Sequence, residues 1–440
     1  MRNQNSLCGE TITETLRVLT DIIVVGGGAS GMMAAGRAAE LGADVLLLEK
    51  MPRLGTKLRI TGKGRCNLTN VANLQEFIRH FGPNGRFLYN AFSRFFVDDL
   101  RAFFERMGVP TVVERGGRVF PQSSQAADVA EALRRYCQGA GARVRYKTSV
   151  DRLLVEGGRV VGVGAGWDEF RARAVIIATG GASYPGTGST GDGYRLAASV
   201  GHTVTPIRPA LVPLETAEPW VPRMMGVSLR NVRATLYVDG KPVASEFGEM
   251  LFTHFGLSGP IILTLSRHPS LAARPTPQTR LVVGVDLKPA LSDAMLDARL
   301  RRDLDAYGKR AFRSIVKGLV PAKMVDVLVE LSGVPGDKPA HQISAQERAR
   351  LFGLLRDLRM TVVGQRPLRE AIVTAGGVAL DEVDPRTLES RLVSGLYFCG
   401  EVLDLDADTG GYNLQAAFST GWVAGESAAK SAARQAEAPR

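Results

Sequence analysis

Residues 21–50 read DIIVVGGGASGMMAAGRAAELGADVLLLEK, and the order of side chains in this stretch decides the fold. Ile22, Ile23, Val24 and Val25 form an unbroken apolar run, the pattern of a parallel strand covered on both faces. Gly26-x-Gly28-x-x-Gly31 follows and opens a helical stretch rich in Met and Ala. The first glycine makes the tight turn, the second lets backbone approach a diphosphate, and the third lets helix lie close on strand. The diphosphate is expected at the helix N-terminus, against Gly26, Gly28, Ala29, Ser30 and Gly31, where free N–H groups and the macrodipole favour anions. A second apolar strand, residues 45–48, ends in Glu49 and Lys50. The Glu49 carboxylate is placed to accept hydrogen bonds from a ribose diol. The unit reads as a dinucleotide site in an α/β domain.

A chain of 440 residues allows two or three domains. With 45% hydrophobic and 22% charged residues its composition is that of a globular protein. The net charge of +11 fits a polyanionic partner, and equally an arginine-rich proteome. Cys8, Cys66, Cys137 and Cys399 are far apart and the five histidines form no HExxH, so neither a redox dithiol nor a metal site is expected. No apolar run reaches membrane-spanning length. Residues 1–20 lack a signal-peptide core and read as a polar leader, with the cytoplasm as the expected compartment.

Lys57, Lys63 and Arg65 share a loop with Gly55, Gly62 and Gly64, running on to Cys66 and Asn67. Such a loop either wraps a phosphate-bearing cofactor, with Lys57, Gly64, Arg65, Cys66 and Asn67 in contact, or is an ordinary solvated basic loop. Residues 74–107 read as helices whose phenylalanines, from Phe77 to Phe104, form core. Val150, counted among the cofactor contacts, begins a hairpin of residues 150–155 and 159–163 around Gly157-Gly158. A third strand over 168–173 completes a meander that leads into Val175-Ile-Ile-Ala-Thr179-Gly180-Gly181. An apolar strand ending in this way is typical of two-dinucleotide-binding flavoproteins, in which the backbone passes close to FAD.

After Gly201 the composition changes to short strands and turns, with Asp239-Gly240 as a hairpin signal. His254 stands there in a glycine-rich stretch, as a general acid or as a locally bonded side chain. Residues 292–357 read as helices, with Leu296, Leu300, Leu304, Tyr307 and Ala311 on one apolar face. Between residues 299 and 323 eight cations face two acids, which suits an RNA backbone or a solvated exterior. Near the end, Gly400-Glu401 follows a strand, and Gly411, Tyr412, Asn413 and Leu414 open a helix to about Ser427. That N-terminus is expected to face the pyrimidine side of a flavin and to stabilise its negative charge.

ITGKGRCNLTN, VIIATGGASYPGTGSTGDGY, GEMLFTHFGLSGP and GLYFCGEVLDLDADTGGYNLQ occur in this order. With them the chain resembles the BaiN-like (YhiN-like) FAD flavoproteins over about residues 21–428. The resemblance implies a discontinuous FAD-binding Rossmann domain of the glutathione-reductase-like, two-dinucleotide-binding type, over 21–205 and 366–428. It implies a β-barrel-like insert over 206–291 and 358–365 that carries a helical insert over 292–357; residues 429–440 read as a frayed tail. Members are linked to NAD(P)H-dependent reduction of conjugated C=C bonds in bile-acid intermediates, and of uridine in ribosomal RNA. The +11 charge and the basic helices favour the RNA. A small-molecule enone reductase is the alternative, and a non-catalytic flavin-binding ribosome partner a third reading. Cys66 and His254 are the candidate proton donors, with Arg65 on a substrate oxygen; Lys63 and Arg65 would favour a Cys66 thiolate. Sequence leaves the nicotinamide site and the oligomeric state unread.

Overall fold

The computed structural model describes residues 20–272 and 279–437. The expected leader lies outside the described residues except for Thr20, which already belongs to the first strand, Thr20–Val25. Five parallel strands run in the order Arg143–Arg145, Val45–Leu48, Thr20–Val25, Asp168–Ile177, Leu396–Phe398. Ile22, Ile23 and Val24 have no exposed surface, as a strand covered on both faces requires.

The meander and the strand after it differ from expectation in one respect. Asp168–Ile177 is a single strand of ten residues. Its first part pairs antiparallel with Arg159–Ala165, and its last part pairs parallel with Thr20–Val25. No glycine or proline interrupts 168–177, so nothing in the backbone ends the strand at Arg173.

The helix Ala29–Glu40 packs between Ala126–Gly139 and the closing helix Tyr412–Glu437. A Cβ on Gly421 would meet Ser30 O at 2.4 Å, and one on Gly425 would meet Ala34 O at 2.3 Å. These two glycines, one helical turn apart, set the helix separation. The closing helix does not fray at Ser427: it runs to Glu437 because Ala428, Ala429 and Ala432 are buried on the same core.

The chain leaves this domain through the antiparallel pair Arg208–Ala210 with Val373–Ala375. Beyond the pair, six strands close a barrel in the order Leu214–Thr216, Gly256–Ser258, Lys241–Phe252, Ser228–Val238, Leu281–Asp286, Leu358–Gln365. Asp239 and Gly240 take positive φ of 49° and 79° in the expected hairpin turn. Between the last two barrel strands lie the helices Asp293–Ala306, Phe312–Lys317, Ala322–Ser332 and Ala345–Arg356. Leu296, Leu300 and Leu304 are buried as expected. Tyr307 is not: the first helix ends at Ala306, which turns Tyr307 outward to 45% exposure. Four of the eight cations counted between residues 299 and 323 are paired with acids. Arg301 pairs with Asp297, Arg299 and Arg302 share Asp303, and Arg313 pairs with Asp326.

Candidate functional site

The three glycines of the fingerprint do three different things. Gly26 has φ of 101°, and a Cβ there would lie 2.7 Å from Ala178 O. A Cβ on Gly31 would lie 1.9 Å from Gly26 O, so only glycine lets the helix start this close to the strand. A Cβ on Gly28 meets no protein atom within 4 Å, which leaves space above Ala29 and Ser30 for a ligand. The Glu49 carboxylate accepts from Gly27 N at 2.6 Å and from Met51 N at 2.7 Å. Burial raises its pKa, and these N–H groups work against that rise. Lys50 bonds Thr190 and pairs with Asp192.

The turn at Gly400, with φ of 77°, abuts the same helix start: a Cβ there would lie 2.5 Å from Ser30 Oγ. Glu401 is held by Lys57 Nζ at 2.8 Å and by Thr374 N at 2.8 Å. A Cβ on Gly181 beside it would lie 2.4 Å from Thr374 Oγ1 and 2.7 Å from Glu401 Oε1. From Lys57 the chain runs to Thr69 and Asn70, which touch the closing helix. Asn70 Nδ2 donates to Gly410 O at 3.3 Å, and a Cβ on Gly411 would lie 2.3 Å from Thr69 O. One loop therefore joins the fingerprint end of the cleft to the helix N-terminus at Tyr412.

Two buried polar atoms, one on this loop and one just after the strand Asp168–Ile177, are left without protein partners. Asn67 Oδ1 and Thr179 Oγ1 are buried with no hydrogen-bond partner among the described residues, and a buried polar atom without a partner is costly. The cradle that Gly28 and Gly64 leave free of side chains, where an added Cβ would meet no protein atom within 4 Å, fits a dinucleotide coenzyme. Asn413 plays another part: its side chain bonds Ala407 N and O, both at 2.9 Å, and so closes the loop before the helix. Val150 and Leu414 pack into the hydrophobic core.

The thiolate expected at Cys66 is contradicted. Gly62, Lys63 and Gly64 take positive φ of 58°, 58° and 84° and turn the basic side chains outward. Cys66, with φ of 60°, turns inward, and burial pushes its thiol up to about 12. We expect Cys66→Ala to reoxidise reduced flavin within about threefold of the parent rate, because a thiol so buried is a poor proton donor. A hundredfold loss by stopped-flow absorbance would restore it as the donor. His254 sits on an exposed barrel turn against Phe255, its ring 4.9 Å from that ring. Arg65 pairs with Glu114 and stacks over Phe120 at 4.3 Å.

Four further polar residues meet at Tyr412, and the motifs did not single them out as site residues. His80 stacks on the Tyr412 ring at 3.9 Å, with Nδ1 2.8 Å from Asp408 Oδ2. Arg267, from the barrel side, pairs with Asp408 and donates to Asp406 Oδ2 at 2.7 Å and to His80 O at 3.0 Å. Glu246 pairs across the ladder with buried Ala234 and so lies on the inner face of the barrel. No group of acids, histidines and cysteines suited to a metal is present among the described residues, and none of their helices is long and apolar enough to cross a membrane.

A family model described as the HI0933-like protein Rossmann domain matches residues 20–427. The chain is 34% identical over 409 residues to the 3-dehydro-bile acid delta(4,6)-reductase of Clostridium scindens, covering 92% of this chain and 98% of that one. It is 31% identical over 411 residues to the ribosomal RNA dihydrouridine synthase of Escherichia coli, covering 92% and 96%. The structure of a 3-ketosteroid-delta4-(5alpha)-dehydrogenase from Rhodococcus jostii superposes with a TM-score of 0.50 at 17% identity, covering 95% and 99%. That last likeness is one of fold.

Proposed function

This chain belongs to the HI0933-like family, and from that premise we propose that it uses FAD and NAD(P)H to reduce an activated C=C bond, with uridine of ribosomal RNA as its substrate. Bound FAD supplies the hydride for the electron-poor carbon of a C=C–C=O unit, C6 in uridine. The protein binds, orients and protonates. Residues 26–31 hold the diphosphate, Glu49 the adenosine ribose, and Asn67 and Thr179 give their free oxygens to the coenzyme. The N-terminus at Tyr412 lends its dipole to the pyrimidine end.

The observation that carries the RNA reading is a basic rim. Arg115 donates to Asn231 of the barrel at 3.0 Å, which seats the Arg115–Arg118 turn at a strand whose exposed residues near Asn231 include Arg230 and Arg233. Lys63 is exposed on the neighbouring loop. Phe247, paired across the ladder with Arg233, is 51% exposed among these cations. Cations interleaved with an aromatic ring suit a nucleic-acid strand, with the phosphates on the charges and a base on the ring. On this reading the protein works in the cytoplasm.

The test is to incubate FAD-loaded protein and NADPH with large-subunit ribosomal RNA lacking the modification and to measure dihydrouridine by mass spectrometry. The expected result is a gain of dihydrouridine, with RNA binding that weakens steeply with salt. The double change Arg115→Glu, Arg233→Glu is expected to lower RNA turnover about tenfold or more. No gain of dihydrouridine overturns the RNA reading. The likeness to the bile-acid reductase favours a second reading, a steroid-like enone. It expects turnover of a 3-oxo-4-ene steroid and no salt-sensitive RNA binding.

A further inference from the structure

Of the donors suggested by motif, Cys66 lies in the interior and His254 is exposed on a barrel turn. A different set of proton-bearing groups converges on the N-terminus of the closing helix. His80 caps the helix Leu74–Arg79 and lies flat on Tyr412, the rings 22° apart. An ionised carboxylate only accepts hydrogen bonds, so Asp408 fixes the proton on His80 Nδ1 and leaves Nε2 to take and give another. The backbone repeats the link, with Asp408 N donating to His80 O at 3.3 Å.

Arg267 completes the frame. It contacts Asp406, Asp408 and the His80 carbonyl, so one barrel side chain sets both the acid and the histidine. From the barrel interior Glu246 faces this group. Burial, with the charge of Asp408, raises its pKa, while His80 lowers it. A carboxyl in that setting keeps its proton into a higher pH range than an ordinary glutamate.

We propose that His80 is the proton donor of the reduction, that Glu246 resupplies it, and that Asp408 is the positioning residue that holds the imidazole. The inference rests on the reductase reading above. Both electrons come from the reduced coenzyme, carried by the hydride. The substrate carbon beside the carbonyl, C5 in uridine, gains its hydrogen as the N–H bond at His80 Nε2 breaks. The Glu246 proton then passes to Nε2 through an intervening water, and solvent refills the carboxyl. His80 is neither oxidised nor reduced.

The experiment uses the full FAD-loaded chain and the variants His80→Gln, Glu246→Gln and Asp408→Asn. Flavin reduction by NADPH is expected at the parent rate in all three. Reoxidation by unmodified ribosomal RNA, or by a 3-oxo-4-ene steroid, is expected to slow about 100-fold or more in His80→Gln and about tenfold in the other two. Infrared spectra of the coenzyme-free chain give a readout independent of turnover. A protonated-carboxyl band is expected to persist above the ordinary glutamate range and to vanish in Glu246→Gln. Reoxidation of His80→Gln within threefold of the parent overturns the donor. A band unchanged in Glu246→Gln overturns the reservoir, and this holds even if His80→Gln does not fold. A parent protein that neither probe reoxidises sinks the reductase reading and the donor with it, whereas a parent that turns over beside an equally fast His80→Gln sinks the donor alone.

Discussion

Gly31→Ala is expected to cost the coenzyme-free protein about 1–3 kcal/mol, the price of overpacking a tight contact, and to abolish FAD retention. The added methyl would sit 1.9 Å from Gly26 O and 3.2 Å from the Ala178 side chain. The helix Ala29–Glu40 has to move off the strand, and the N–H groups that cradle the diphosphate move with it. Gly28→Ala is the informative contrast. Its methyl meets no protein atom within 4 Å, so the coenzyme-free chain should melt like the parent while FAD binding falls. Thermal melts without coenzyme and the flavin-to-protein absorbance ratio of purified samples measure both effects. A Gly28→Ala protein that retains FAD normally would show that the diphosphate lies elsewhere.

Arg267→Met is expected to destabilise the protein by about 3 kcal/mol, the lower end of the cost of breaking a buried ion cluster by removing one partner. Asp406 and Asp408 would face each other without their shared cation, and the His80 carbonyl would lose a donor. The Arg267 side chain is only 16% exposed, so water replaces little of what is lost. Arg267→Lys should recover part of the loss, since a lysine keeps the charge but not the forked geometry. Urea denaturation followed by tryptophan fluorescence reports the difference. A change within about 0.5 kcal/mol, the size of an ordinary surface substitution, would mean that the cluster does not tie the barrel to the closing helix.

The nucleotide half of the site is legible in the sequence because its parts are short and consecutive. Residues 26–31, 179–181 and 400–401 each carry their geometry in local spacing, and glycine marks where a Cβ has no room. The proton-handling half has no such signature. His80, Glu246, Arg267 and Asp408 come from four distant segments, and each alone reads as an ordinary polar residue. Only the strand register that turns Glu246 inward and the stacking of His80 on Tyr412 bring them together.

Cys66 shows the converse. Its sequence neighbours are basic, but the left-handed residues Lys63, Gly64 and Cys66 separate their direction from its own, so proximity along the chain misreads its environment. The charge of the helical insert is misread for a related reason, because Asp297 and Asp326 lie just outside the window of cations that they neutralise. The closing helix could have been extended from sequence. Gly421, Gly425, Ala428, Ala429 and Ala432 recur at helical spacing, the pattern of a close helix contact rather than of a loose end.

Val285 and Leu358 are ladder partners on adjacent barrel strands, although the whole helical insert lies between them in sequence. The chain departs and returns at almost the same point, so the insert hangs as a cassette from a single hinge-width of scaffold. A tight hairpin would be long enough to span that gap. A replacement has one obligation, since Leu296, Leu300, Phe312 and Leu355 share their hydrophobic cluster with the barrel: it must bring an apolar face of its own. Evolution can therefore exchange this part of the chain without rebuilding the coenzyme cradle.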